Sequence, residues 1–305
     1  MKKKLLTLAL GCAFTLGAAL GTGFAQATPD INFDEPDAST EGEVNLNTLE
    51  IDTSYVFSSG IEFASKEVGR GSAMHNFFEY IRRVPIQGQW YFQVGATYDR
   101  FDFGGSATSL LPTTLQSINV PVGISYIFEG HVGFLAQVRP GLNFEHDITS
   151  GAFDIPFEIG SFYPFIDKKL YGVWGAATSI LRDWPVIPMV GIIWIINDDF
   201  RVMGYLPEPK IIYQANENLE IWVGGEFIGG SYKVGRRADS RLSNTVVDYT
   251  EYRVGAGFTY EPRDNWEITL AGGCAIDREF DFHRANQVYS SDAAPYIRFQ
   301  VSGEF

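Results

Sequence analysis

Four histidines are the residues of this sequence most able to supply a catalytic base or a metal ligand. They are His75, His131, His146 and His283. None stands in a His-x-Ser or His-Glu-x-x-His arrangement, and segments 123–127 and 229–233 lack the second glycine of a Gly-x-Ser-x-Gly elbow. The sequence therefore predicts no enzyme, no catalytic residue, no metal site and no cofactor. A hydrolase stays open as an alternative, because a triad is recognised by its geometry rather than by sequence order.

A second set of polar side chains alternates with apolar residues along the chain. If the apolar positions face lipid, the polar ones point into the lumen of a barrel. Such charges either pair across the lumen and stabilise the fold, or line an aqueous path and bias the solutes that cross it. The candidate lumen-facing residues are Gln93, Asp99, Gln137, Arg139, Glu226, Glu251, Arg253 and Arg298.

The segments that must position these side chains have a hydrophobic period of two. In residues 89–99 an apolar set, Trp90, Phe92, Val94, Ala96 and Tyr98, alternates with polar or small residues. The same pattern recurs in segments 117–128, 131–139, 251–260 and 266–271. It predicts long β-strands with one apolar face. Alternation alone does not distinguish burial against lipid from burial against a second sheet.

The connections between these strands alternate in length. Tight links are expected at 85–88, 129–130, 167–169, 197–199, 216–218 and 261–265, and longer ones at 59–74, 103–116, 145–152, 181–187, 233–245 and 279–293. Short periplasmic turns and longer extracellular loops are typical of outer-membrane barrels. We therefore predict an all-β fold, a closed antiparallel transmembrane β-barrel. It has 14 strands if Phe200–Gln214 forms a hairpin in the wall, and 12 if that hairpin stays outside the lipid.

The last strand gives a second, independent indication of a barrel. Residues 295–305 place Ile297, Phe299, Val301 and the terminal Phe305 on one face. Because lipid offers no partner for an open edge, this strand must pair with the first strand. We expect outer-membrane lipid and the barrel-assembly machinery, reached through the strand that ends at Phe305, to be its partners.

The N-terminus is typical of a secretory signal peptide. Lys2–Lys4 precede an apolar run from Leu5 to Leu20, and Ala25-Gln26-Ala27 supplies a cleavage site after Ala27. We predict a signal peptide at 1–27, an acidic and disordered leader at 28–48, and a bacterial outer-membrane barrel at 49–305. Loss of three lysines from 23 basic residues leaves 20 against 37 acidic ones, a net charge of −17, which argues against nucleic acid as a partner.

Aromatic side chains near the predicted strand ends are expected at the level of the lipid headgroups. They are Trp90, Tyr98, Tyr126, Trp184, Tyr205, Tyr260 and Trp266. Stacking against a sugar is the alternative for these rings.

The chain also resembles a family of bacterial outer-membrane β-barrel proteins of unknown function that are distantly akin to porin-like transporters. The resemblance covers most of the predicted mature chain and is most specific in segments 199–213, 219–227 and 230–234, a strand, a Pro-x-Pro turn, a tyrosine and a glycine-rich strand. It implies an outer-membrane barrel and carries no catalytic motif.

Three functions follow as hypotheses from these patterns. The first is porin-like passage or binding of a small solute through a polar lumen. The second is a closed structural or adhesive barrel without transport. The third is a soluble, secreted, carbohydrate-binding β-sandwich.

Overall fold

β-Strands make up nearly all of the chain in the computed structural model, which describes residues 45–128, 131–166, 169–182, 184–237, 239, 241–263 and 265–305. Three short 3-10 turns, Ser106–Ser109, Ser150–Ala152 and His283–Ala285, interrupt them. The strand segments are β1 (Asn47–Phe63), β2 (Lys66–Gln87), β3 (Trp90–Gly104), β4 (Thr114–Asn119), β5 (Val122–Phe128), β6 (His131–Val138), β7 (Gly141–Phe144), β8 (Phe153–Asp154), β9 (Phe157–Ile166), β10 (Leu170–Thr178), β11 (Val186–Asn197), β12 (Phe200–Gly204), β13 (Lys210–Asn216), β14 (Leu219–Lys233), β15 (Val246–Arg263), β16 (Trp266–Phe282), β17 (Gln287–Ser291) and β18 (Ala294–Glu304).

These segments form 14 wall strands, because four strands each consist of two segments. Proline interrupts three of them, at Pro121 between β4 and β5, Pro140 between β6 and β7, and Pro156 between β8 and β9. Proline has no N–H to donate, yet each of these carbonyls still accepts a backbone bond from the neighbouring strand, at 2.8 to 3.0 Å. The fourth interruption separates β17 from β18. The hairpin β12–β13 lies in the wall, which decides for 14 strands over 12.

The barrel is closed by its first and last strands, as expected. β1 pairs with β18 in antiparallel register, with Ile51 opposite Val301 and Thr53 opposite Phe299. Asn47 and Phe305 exchange both backbone bonds at 2.9 Å, so the C-terminal residue belongs to the ladder. Closure removes the open edge that lipid could not satisfy.

The two ends of the barrel differ in their connections. Beside the termini, six connections of two or three residues join the strands, from β2–β3 to β15–β16. At the other end, which we call the outer end, most loops are longer, up to the segment 234–245. The expected loops at 59–74 and 279–293 are wrong. Their residues continue the strands, and two residues join β1 to β2 while four join β16 to β17. The inward side chains of these extensions pack into an apolar cluster, which is why they stay in the sheet.

A smaller ring of strands is closed at the outer end. The end of β14 pairs in parallel with the end of β7, Lys233 opposite Phe144, although the two belong to opposite walls. The pairings β1–β2–β3–β4–β7–β14–β15–β16–β17–β1 then form a ring of nine strands, which we call the outer ring. Segments β8 to β13 stay outside it.

Apolar side chains cover the outward face of the barrel. Outward positions on every side expose about two fifths or more of their apolar surface, among them Ile51, Phe78, Phe92, Ile124, Trp174, Val190, Ile211, Val223, Phe258, Leu270 and Phe299. A belt of this extent on a soluble protein would be an interaction surface, whereas on a barrel it matches the hydrocarbon of a bilayer. Among the described residues, no helix has the length and hydropathy to span a membrane.

The predicted signal peptide at 1–27 lies outside the described residues, as does the leader up to residue 44. The described part of that leader, residues 45–48, enters β1, which begins at Asn47. Leu46 packs beside Tyr91, Ile127 and Leu135.

Acidic side chains replace the apolar belt where β16 leaves it. Leu270 and Ile276 face outward in the belt, followed on the same face by Asp277, Glu279 and Asp281. Partial burial, and then the charges of Asp277 and Asp281, raise the pKa of Glu279 above its ordinary value. A carboxyl whose pKa is raised on folding destabilises the fold when ionised, and that cost is lost as the pH falls through its folded pKa.

We therefore expect Glu279→Gln to stabilise the barrel by about 0.5 kcal/mol at pH 7, in line with the cost of adjacent like charges on a sheet. The gain should disappear near pH 4, where the wild-type carboxyl binds its proton. Urea unfolding in detergent at both pH values measures the difference. The matched control is Glu217→Gln in the exposed connection between β13 and β14. An equal gain there, or a gain that persists at pH 4, would contradict the assignment.

Candidate functional site

All eight polar candidates lie on the inner face of the barrel. β3 carries Gln93 and Asp99, β14 carries Glu226, β15 carries Glu251 and Arg253, and β18 carries Arg298. Gln137 is the last residue but one of β6, and Arg139 directly follows that strand. Their side chains are almost wholly buried. Alternation along each strand directs them inward because the opposite face meets the apolar belt. Three networks hold them.

The largest network joins β1, β14, β15 and β18. The Arg298 guanidinium donates to the carboxylates of Asp52 and Glu226, the latter at 3.0 Å. The second oxygen of Glu226 accepts from Arg253 at 3.1 Å, and Arg253 also donates to Glu251 at 2.6 Å. Glu226 therefore bridges two buried guanidinium groups, and Tyr249 completes the chain by donating to Glu251 at 2.5 Å.

A second network joins β2 to the strands around Pro140. Arg139 donates to Glu79 and lies 3.8 Å from Glu158. Gln137 donates to Glu158 at 2.6 Å and accepts from Gln93 at 2.6 Å. The third network spans the lumen more directly, since Asp99 on β3 lies 2.6 Å from the His75 ring and accepts from Tyr232 on β14 at 3.2 Å.

Several partners in these networks are not among the candidates named from the sequence. Asp52, Glu79 and Glu158 lie on strands whose alternation could have found them, because each is flanked by outward apolar residues. Glu208 lies in the connection 205–209 between β12 and β13, where no period exists to predict its direction. It pairs with Lys210 and lies 3.5 Å from Arg298 on the far side of the network.

The connection 205–209 folds against the inner side of the wall. β12 and β13 are the short arms of this hairpin, of five and seven residues. Pro207 and Pro209 accept backbone bonds from Phe227 and Gly225 of β14, at 3.0 and 2.9 Å. Tyr205, expected at the headgroup level, is instead buried, because its Cβ packs against Gly191, a position with no room for a side chain.

An aromatic cluster fills the outer ring above the charged networks. Phe101 is its centre, stacked on the His75 ring at 4.3 Å and edge-on to Tyr249 at 4.9 Å. Loop residues Ala107, Leu111 and Leu242 close it from outside. The other buried members are Ile61, Leu115, Ile228, Tyr232, Val234, Val247, Phe280, Phe282 and Tyr289. We call this set the aromatic plug.

A second apolar surface lines the inner faces of β9, β10 and β11. It consists of Phe162, Val173, Ala177, Ile187, Met189 and Ile193, with Tyr205 packed on it. The part of the lumen wall formed by these three strands is thus largely apolar, opposite the ion pairs of β14 to β18 and β1. The lumen is not simply polar, and opposite walls are joined by bonds in the described conformation.

Three of the histidines make side-chain contacts with carboxylate or hydroxyl groups. His75 is paired to Asp99, His283 lies 3.4 Å from Asp248, and His146 contacts Thr113 at 3.0 Å. Across the described residues, no group of three or more His, Cys, Asp or Glu side chains is placed to hold a metal ion.

No family model matches the sequence. No curated protein is significantly similar to it. Among solved structures, the chain is similar to an outer-membrane channel from Pseudomonas putida F1, at 10% identity and a TM-score of 0.45, over 89% of this chain and 100% of that one. It is similar to the toluene transporter TodX of Pseudomonas putida, at 12% identity and a TM-score of 0.40, over 94% and 96%.

The outer-membrane protease OmpT of Escherichia coli is also similar, at 7% identity and a TM-score of 0.28, over 89% of this chain and 100% of that one. These neighbours include both channels and a protease. Function must therefore be inferred from the chain's own residues.

Proposed function

We propose that this protein is an integral barrel of the bacterial outer membrane, exported by a signal peptide cleaved after Ala27, that passes small solutes through a lumen closed at rest. The single observation that carries the proposal is a closed barrel with an apolar belt outside and charged side chains inside. Eleven ionisable groups in the interior stabilise the barrel as pairs, and they also supply contacts that a crossing solute can use when a pair opens.

The lumen supports passage of small molecules with both polar and apolar parts. One wall presents carboxylates and guanidinium groups, and the facing wall presents Val173, Met189 and Ile193. A solute that crosses between them can exchange its water for contacts of both kinds. Porin-like passage is therefore proposed with a two-faced lumen in place of the uniformly polar one expected from the sequence.

A closed structural barrel is the second candidate, and one observation favours it. Glu226 joins Arg253 and Arg298 along one wall, and Tyr232 reaches Asp99 from the opposite wall, so these contacts hold the interior together in the described conformation. The two candidates differ in whether these contacts open.

Two measurements test the proposal in sequence. Detergent-extracted outer membranes, run on gels with and without boiling, should show a shift for a closed barrel. Purified protein in planar bilayers should then give discrete current steps, rare in the wild type and frequent once a contact that closes the outer end is removed. If the gel shows no shift and salt washing releases the protein, the membrane barrel is wrong. If no variant gives current steps at high protein load, passage is wrong and the closed structural barrel is supported.

We propose that the barrel-assembly machinery recognises the last strand. Phe305 packs parallel to Trp266 of β16 at 6.3 Å and exchanges backbone bonds with Asn47 of β1, so it is part of the closing seam. Phe305→Ala should lower the assembled fraction in the outer membrane, while the lipid-facing Val288→Ala should not.

A further inference from the structure

A lid covers the outer end of the barrel. It consists of the described residues 234–237, 239 and 241–245 between β14 and β15, and it begins where β14 meets β7. Val234 and Leu242 seat it on the aromatic plug, and Asp239 is paired with Arg241 within it. The lid therefore lies between the outside solution and the lumen.

Glu145 holds the lid closed. Its carboxylate accepts from the backbone N–H of Gly235 at 3.0 Å and from the Arg237 guanidinium at 2.6 Å, and its own N–H donates to Lys233 at 3.0 Å. Arg237 also donates to the Leu110 carbonyl at 3.1 Å. Glu145 thus connects the lid to its own loop and to the β7–β14 junction, and Arg237 connects the lid to the loop that contains Leu110.

The surface around this contact is basic in a chain with a net charge of −14. Lys233, Arg236 and Arg284 form no ion pair with any carboxylate of the described residues, and Arg236 and Arg284 are exposed. Partial burial and the nearby charge of Arg284 lower the pKa of Lys233. Three unneutralised cations beside Arg237 raise the local concentration of anions at the lid.

We propose that the lid binds a small anionic solute, with a carboxylate or phosphate group, which competes with Glu145 for Arg237 and so releases the lid from β7. This inference rests on the proposed function and names its substrate class. Arginine suits the exchange because its planar fork binds carboxylate and phosphate groups alike. The solute forms the ion pair with the Arg237 guanidinium that Glu145 gives up. The exposed cations attract the solute to this position.

The ligand is a free solute rather than a lipid phosphate, because the lid lies beyond the apolar belt, above the acidic end of β16. Lipid headgroups meet the barrel at the border of the belt. Experiments in bilayers without lipopolysaccharide separate the two sources, and an effect that requires lipopolysaccharide would overturn the proposal.

The test compares succinate with succinamide, its uncharged analogue, in planar bilayers and by calorimetry in detergent. Succinate added to the outer side should raise the open fraction of the wild-type channel about tenfold, a gain of the size that charge-focusing surfaces give. Succinamide should have no effect. Equal action by the two would overturn the proposal.

Two variants act on the contact itself. Glu145→Gln should open the channel without succinate and still bind it, whereas Arg237→Gln should open it and abolish binding. The double change Arg236→Gln and Arg284→Gln, at two exposed cations, should keep the channel closed at rest and raise the half-effective succinate concentration about tenfold. The matched control is Lys66→Gln, which removes one exposed positive charge from the β1–β2 hairpin; a shift as large there would overturn the assignment.

The two proposals fail differently. If Glu145→Gln and every other variant stay silent while succinate still binds through Arg237, passage fails and the anion site stands. If currents occur but succinate neither binds nor opens the channel, passage stands and the anion site fails. Should Arg237→Gln not fold, Glu145→Gln and the double variant Arg236→Gln with Arg284→Gln decide alone.

Discussion

Replacing Arg298 with alanine should destabilise the barrel by about 3–5 kcal/mol, the cost of removing one partner from a buried ion network. The guanidinium contacts Asp52, Glu208 and Glu226, and its loss leaves Asp52 without its charged partner inside the wall. Arg298→Lys should retain part of the stability, because it keeps the charge but cannot contact three carboxylates in one plane.

Urea unfolding followed by the heat-dependent gel shift measures this loss. The control is Phe299→Leu, the next residue, which faces lipid with about two fifths of its surface exposed. It should cost less than about 1.5 kcal/mol, as volume-conserving apolar exchanges do. If Arg298→Ala unfolds at the wild-type urea concentration, the network does not stabilise the fold and its residues are free to act on solutes alone.

Removing the Phe101 ring should both destabilise the outer ring and open it. Phe101 is buried to 1% exposure and contacts His75, Phe103, Tyr232 and Tyr249. Phe101→Ala should cost about 3–5 kcal/mol, as large-to-small changes in a packed core do, and leave a cavity beneath the lid. The current through the channel should increase, because the ring is the central obstacle between the lid and the charged networks.

Unfolding and bilayer recordings on the same preparation separate the two effects. Phe258→Ala, on the lipid-facing side of β15, removes the same ring from the opposite face and should leave the current unchanged. An unstable Phe101→Ala protein whose current equals that of the wild type would mean that the plug supports the fold without closing the path.

The wall of the barrel was predictable because lipid outside and a filled lumen inside impose a period of two on each strand. The inward direction of Gln93, Arg253 and Arg298 follows from that period, and the pairing of the last strand with the first follows from closure. The choice between 12 and 14 strands depended on the β12–β13 hairpin. Because its arms are short for membrane strands, the sequence was compatible with either number.

The features that the sequence did not predict lie where the alternation of polar and apolar residues stops. Glu208 and Tyr205 belong to a connection with two prolines, and their direction is set by bonds to β14 and by contact with Gly191. The extensions at 59–74 and 279–293 contain turn-forming residues and were assigned to loops. Their strands persist because Ile61, Phe280 and Tyr289 share the plug, a contact between residues that are distant in sequence.

The lid was also beyond prediction, because its function depends on a contact between the loops 234–245 and 145–152. Arg237 and Glu145 are 92 residues apart, and no local pattern relates them. Their partnership depends on β14 meeting β7.

The outer ring has a consequence for the width of any path. Barrel diameter grows roughly in proportion to strand number, and a barrel of about eight strands is just wide enough for its own side chains to fill. Nine strands therefore enclose little space beyond that filled by their own side chains. When the single residue pair between β7 and β14 separates, all 14 strands surround the outer lumen in place of nine. The diameter of the lumen at this end then increases by about half. The diameter of this barrel is thus a property that one residue pair can change, without any strand leaving the membrane.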